Sequence, residues 1–170
     1  MRRIVKMRTI NLSLILLLAG IYTAMANNSI TGKVITVIDG NTVEILSDDT
    51  QTYKVILAGI DCPELTQSFG ESAKKHLEKA ALNKTVTVNF QGKDRKGNYL
   101  AVILVKGDTD LRIDLLKEGL AWTSEKNPDP DLENHRTRAQ EKRKGLWKED
   151  NPIPPWTHRR EQSMLEAKSS

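Results

Sequence analysis

Tyr53-Lys54-Val55-Ile56-Leu57-Ala58-Gly59-Ile60-Asp61-Cys62-Pro63-Glu64 decides how the rest of the chain is read. An apolar, β-branched run leads into a glycine and then into two carboxylates three residues apart around a proline. A strand that ends by delivering Asp61 and Glu64 into a turn is where a metal ion or a general base sits. A plain strand followed by a polar turn is the competing reading of this stretch alone. A second acidic turn about twenty residues earlier, Val37-Ile38-Asp39-Gly40-Asn41-Thr42-Val43, tips the balance towards a site.

Working outward, residues 30–37 alternate apolar and polar side chains and read as a first strand. Asp39-Gly40-Asn41 marks a tight turn, and residues 42–46 return as a second strand. Residues 51–60 form the third, so three strands make an antiparallel meander. The period then changes. Residues 68–82 place Phe69, Ala73, His76, Leu77, Ala80 and Ala81 on one helical face, with His76 at its edge as a packing residue. Residues 85–90 and 101–105 are the fourth and fifth strands, joined by the charged turn Lys93-Asp94-Arg95-Lys96-Gly97-Asn98. A short helix over 111–118 ends at Gly119. A second C-terminal helix, 131–145, carries Arg136, Arg138, Lys142, Arg143 and Lys144, either a nucleic-acid contact or a solvated face. Trp147 is expected to dock. Residues 151–170 read as a Pro-rich strap and a disordered tail. This order predicts an α+β fold: an OB-fold, the five-stranded Greek-key β-barrel, with a helix between strands 3 and 4 and two C-terminal helices, over residues 27–150.

Residues 1–26 carry a basic stretch (Arg2, Arg3, Lys6, Arg8), an apolar stretch and Ala24-Met25-Ala26, the pattern of a signal peptide. A secreted or periplasmic protein with no membrane span after leader cleavage is the expectation; an uncleaved N-terminal anchor is the alternative. Four of the 26 Lys and Arg lie in that leader and none of the 22 acidic residues does. The remaining 144 residues therefore carry 22 charges of each sign, and the basic character belongs to the leader. A balanced net charge excludes global electrostatic capture of nucleic acid and requires a local patch. Cys62 is the single cysteine, which excludes an intrachain disulfide framework.

V-I-D-G-N-T-V, A-G-I-D-C-P-E, K-D-R-K-G-N, E-G-L-A-W and K-G-L-W, in that order, resemble the staphylococcal nuclease (thermonuclease) family from Ile30 to about Trp147. The resemblance implies a Ca2+-dependent endonuclease that hydrolyses phosphodiester bonds of DNA or RNA, here expected to be monomeric. It implies Asp61, the Asn41 side chain and the Cys62 backbone carbonyl as Ca2+ ligands, and Glu64 as the general base. Family members also place two arginines on the phosphate.

Those positions are Ile56 and Asn98 here, and the second carboxylate ligand of the family is Asn41. Weaker Ca2+ binding and impaired catalysis follow, because losing one positioned phosphate donor typically costs about 10²–10³ in rate. Lys54 projects from the same strand face as Ile56, displaced by about 6.8 Å, and Arg95 lies in the right turn. Both are candidate surrogates for the phosphate contacts. A pseudonuclease that binds nucleic acid or protein in the cell envelope is the alternative, and a scaffold domain the third reading.

Overall fold

The computed structural model describes residues 28–169; the leader lies outside the described residues. The strands are β1 (Ser29–Val37), β2 (Thr42–Ser47), β3 (Thr52–Leu57), β4 (Ile60–Asp61), β5 (Thr85–Lys93), β6 (Tyr99–Val105), β7 (Thr109–Asp110) and β8 (Trp122–Thr123). The helices are α1 (Gly70–Ala81), α2 (Leu111–Lys117), α3 (Pro130–Glu141) and α4 (Pro155–Ser169), with a 3-10 turn at Gly145–Lys148.

Alternation along each long strand sends one set of side chains inward: Val34 and Val37 from β1, Val43 and Ile45 from β2, Val55 and Leu57 from β3, Val86 and Val88 from β5, Ala101 and Ile103 from β6. The antiparallel order β3-β2-β1-β5-β6 is closed by a parallel pairing of β3 with β6, Val55 opposite Tyr99 and Leu57 opposite Ala101. Closure leaves no free edge among the five long strands. β1 serves both halves, pairing with β5 through its first residues and with β2 through its last. Its register slips between Val34 and Thr36, and the bulge bends the strand around the corner.

α1 plugs one side of the barrel with Ala73, Leu77 and Ala81. α2 adds Leu111, Leu115 and Leu116, and its Asp114 accepts the His76 ring at 2.8 Å, so His76 clips the two helices together. The two later glycine motifs meet: a Cβ on Gly145 would stand 2.2 Å from the Gly119 carbonyl oxygen, and the Leu146 N–H donates to that oxygen at 2.9 Å. Trp147 docks as expected, packed edge-on to Trp122.

Two expectations are corrected. The third strand stops at Leu57; Gly59 takes a left-handed φ of 78°, and Ile60–Asp61 pairs instead with Trp122–Thr123 in a separate two-stranded ribbon. Residues 155–169 form α4 rather than a disordered tail. Pro155 sits at the first helical position, where its missing N–H costs no hydrogen bond, and it is buried.

Candidate active site

The Asp39-Gly40-Asn41 turn and the Ile60–Glu64 loop lie side by side. Gly40 permits this: a Cβ there would stand 2.6 Å from Cys62 Cβ and 2.7 Å from Ala73 Cβ. The Asn41 N–H donates to Asp39 Oδ1 at 2.9 Å, and the Cys62 N–H approaches Asn41 Oδ1 at 3.4 Å. Asn41 thus stitches the two loops together. Cys62 is buried and its thiol donates to the Gly40 carbonyl. Burial pushes that thiol well above its ordinary value, with the charges of Asp61 and Asp39 adding to the rise. A buried thiol pushed up in this way is not poised as a nucleophile.

Asp61 is aimed by the β4–β8 ribbon, where it sits opposite Trp122. Glu64 is fixed from behind by Gln67, whose Oε1 accepts the Glu64 N–H at 2.9 Å while its own N–H donates to the Glu64 carbonyl at 2.8 Å. Both carboxylates open into a cleft of about 870 Å³. Asp39, Asn41, Lys54, Ile56, Cys62, Arg95, Lys96 and Asn98 line it, so every site residue expected from the sequence gathers around one space. Lys54, Arg95 and Lys96 have no side-chain polar partner among the described residues. Asn98 turns into its own loop: its N–H and Nδ2 donate to Asp94 at 2.9 and 2.8 Å. The expected basic run, which α3 carries only as far as Glu141, stays away from the cleft; Arg136 pairs with Glu133 and Lys144, beyond the helix end, with Glu118.

The sequence reading misses the cation that does occupy the centre. Arg159, on α4, donates from Nη1 to Asp61 Oδ1 at 3.2 Å and to Glu64 Oε1 at 2.6 Å, and from Nη2 to Asp61 Oδ2 at 2.6 Å. One guanidinium nitrogen is therefore shared by both carboxylates. Burial pushes the Asp61 carboxyl up; the hydrogen bond and charge of Arg159 oppose the rise, and the charges of Glu64 and Asp39 add to it. Arg159 is held protonated, above its ordinary value, chiefly by Asp61. The signal available in the sequence was the proline at 155 opening fifteen residues without another proline or glycine.

The Asp61 carboxylate, the Asn41 amide and the Cys62 peptide carbonyl are hard oxygens carried on two adjoining loops. This chemistry fits a hard divalent cation. Among the described residues no three His, Cys, Asp or Glu side chains converge as a ligand group, so neutral oxygens would have to complete the shell.

Comparison with known sequences agrees with the geometry. A family model described as staphylococcal nuclease homologue matches residues 54–149. A Haemophilus influenzae protein named as an uncharacterized endonuclease is 34% identical over 158 residues, covering 92% of this chain and 88% of that protein. An Escherichia coli protein of the same description is 32% identical over 131 residues, covering 76% and 85%. A micrococcal nuclease of Shigella flexneri is 33% identical over 140 residues, covering 76% and 80%.

Proposed function

The chain belongs to the staphylococcal nuclease family, and from that premise we propose that its cleft hydrolyses phosphodiester bonds in nucleic acid with the help of Ca2+. What supports the reading is the convergence of Asp61 and Glu64 on a guanidinium inside a cleft rimmed by Lys54, Arg95 and Lys96. Phosphodiester hydrolysis needs a base for the attacking water and positive charge around the phosphoryl oxygens. Glu64, partly exposed and braced by Gln67, takes the water proton. The basic rim draws the polyanion in and neutralises its flanking phosphates. Asp61, the Asn41 amide oxygen and the Cys62 carbonyl would hold Ca2+, which supplies Lewis-acid polarisation of a phosphate oxygen when bound. Because Asn41 brings no charge, Ca2+ affinity is weaker than a second carboxylate there would give.

Ile56 and Asn98 favour a second reading, a cleft that binds a strand without cutting it: both are neutral at the cleft wall, and Asn98 is committed to its own turn. Residues 27–170 incubated with single-stranded DNA and RNA, in Ca2+ and in EDTA, separate the two. Ca2+-dependent cleavage that falls by about 10²–10⁴ in Glu64→Gln supports hydrolysis; retention of the strand without cleavage supports the binder. Export through the leader belongs to the same proposal and is tested by cell fractionation.

A further inference from the structure

The family match stops at residue 149, yet the guanidinium at the centre of the cleft comes from residue 159. Its hydrogen-bonding arithmetic is informative. A guanidinium carries five N–H donors in one plane. Both Nη1 hydrogens and one Nη2 hydrogen of Arg159 are taken by Asp61 and Glu64. The Nε–H and the remaining Nη2–H lie along one edge, and neither has a partner among the described residues. That edge has the spacing of a two-oxygen anion, the bidentate geometry by which arginine grips phosphate. The side chain is 48% exposed and lines the cleft.

Position points the same way. Water activated by Glu64 must attack a phosphorus within a few ångströms of that carboxylate. Arg159 is bonded to Glu64 at 2.6 Å, whereas Lys54, Arg95 and Lys96 touch neither carboxylate. The arginine is also tied to the elements that aim the acids. Trp156 packs edge-on to Trp122, the register partner of Asp61, with ring centres 5.7 Å apart. Gln67, which braces Glu64, donates to the Ile153 carbonyl at 3.1 Å.

We propose that Arg159 is the phosphate-contacting residue of this site, presenting its Nε–Nη2 edge to the scissile phosphate while Asp61 and Glu64 hold the rest of the guanidinium in place. The proposal rests on the nuclease reading for its rate prediction but not for its binding prediction. A guanidinium acting only as a counter-ion, displaced when a cation enters, is the competing role.

The test uses residues 27–170 as wild type, Arg159→Ala and Arg159→Lys. Binding of a fluorescein-labelled ten-nucleotide single-stranded DNA is followed by anisotropy in EDTA across a salt series. Cleavage is followed in Ca2+, and Ca2+ affinity by tryptophan fluorescence. Arg159→Ala is expected to weaken DNA binding tenfold or more and to lower the salt slope by about one. It is expected to lower kcat/KM by about 10²–10³, with Arg159→Lys recovering only part because a point charge is not a fork. Unchanged or tighter DNA binding by Arg159→Ala overturns the proposal, as does faster cleavage accompanied by tighter Ca2+ binding. Should the wild type cut nothing, the nuclease reading falls, and the binding series still decides the role of Arg159.

Discussion

Gly70→Ala tests whether the seat of Glu64 is as tight as its geometry indicates. Gly70 opens α1 directly behind the turn that carries Glu64. A Cβ built there stands 2.0 Å from the Glu64 carbonyl oxygen, 2.7 Å from its carbon and 2.9 Å from Leu65 Cα. All three atoms are backbone, so no side chain can swing aside. Two effects oppose each other. Replacing glycine by alanine in a helix stabilises it by up to about 1 kcal/mol. Relieving the overlap requires the Glu64–Gln67 turn to move by roughly 1 Å, and overpacking of this kind costs about 1–3 kcal/mol. The clash wins, because that movement also stretches the paired hydrogen bonds between Glu64 and Gln67. We expect a net loss of about 1–2 kcal/mol, read as a midpoint shift in urea at constant slope. Thermal unfolding should fall by about 2–4 °C per kcal/mol lost. On the proposed hydrolytic role of Glu64, displacing it by that distance should cost about 10² in cleavage rate. The neighbouring control, Glu71→Ala, alters an exposed side chain and should stay within about 0.5 kcal/mol of wild type. A Gly70→Ala protein with unchanged midpoint and unchanged cleavage would refute the reasoning.

Two further predictions concern a buried thiol beside the site and an ion pair away from it. Cys62 should resist a thiol-directed disulfide reagent in the native protein at pH 8, since its sulfur is buried and its thiol is pushed up; one equivalent should react promptly once denaturant unfolds the chain, and rapid native-state labelling would contradict the burial. Glu133 on α3 has its carboxyl lowered from 4.5, first by the hydrogen bond from Arg136 and also by that from Thr123, against a smaller opposing effect of burial. A depressed acid contributes stability that is complete above 4.5 and lost as pH falls through its folded value. Glu133→Gln should therefore lower stability slightly at neutral pH, the pair being partly exposed, with the difference from wild type fading as pH falls below about 4.5; a difference that persists undiminished in acid would be inconsistent with this origin.

The barrel was legible because its cause is local. Alternation in β5, and in β1 up to its bulge, sends one face inward, β6 reads as a short apolar run, and the Asp39-Gly40-Asn41 turn reverses the chain. Asp61 and Glu64 stood out as two carboxylates at a strand end, whereas Asn41, Lys54 and Arg95 were singled out only through the family resemblance; all five line the one cleft. The β4–β8 ribbon was not, because two residues carry no period, and the pairing of Asp61 with Trp122 joins positions far apart in the chain. α4 escaped for a different reason. Its only buried residue is Pro155, so it shows no apolar stripe. Polar contacts and one aromatic edge hold its start instead: Thr66 with His158 at 3.1 Å, Arg160 with Glu125 at 3.3 Å, and Trp156 on Trp122. Hydrophobic patterning cannot register contacts of that kind.

The replacement of charge at the cleft wall has a physical consequence of its own. Ile56 and Leu100 are register partners across the parallel β3–β6 seam, and both line the cleft. Between the free cations Lys54 and Arg95 the wall therefore presents an apolar strip rather than a donor. Apolar side chains on that wall are in keeping with burial as the largest cause of the raised Asp61 carboxyl. In a less polar setting the interaction of Arg159 with Asp61 and Glu64 is strengthened, and an arginine with its fork held rigid gives a better-defined oxyanion contact than a solvated lysine. The strip also offers a non-polar surface for the sugar or base of a bound strand. Ile56→Arg should on this account do more than add a cation: it would rehydrate the wall and add a second guanidinium near the carboxylates. Weaker dependence of DNA binding on Arg159 in the Ile56→Arg background is the expected result, measured by a double-mutant cycle. Strictly additive effects would show that the two positions act independently.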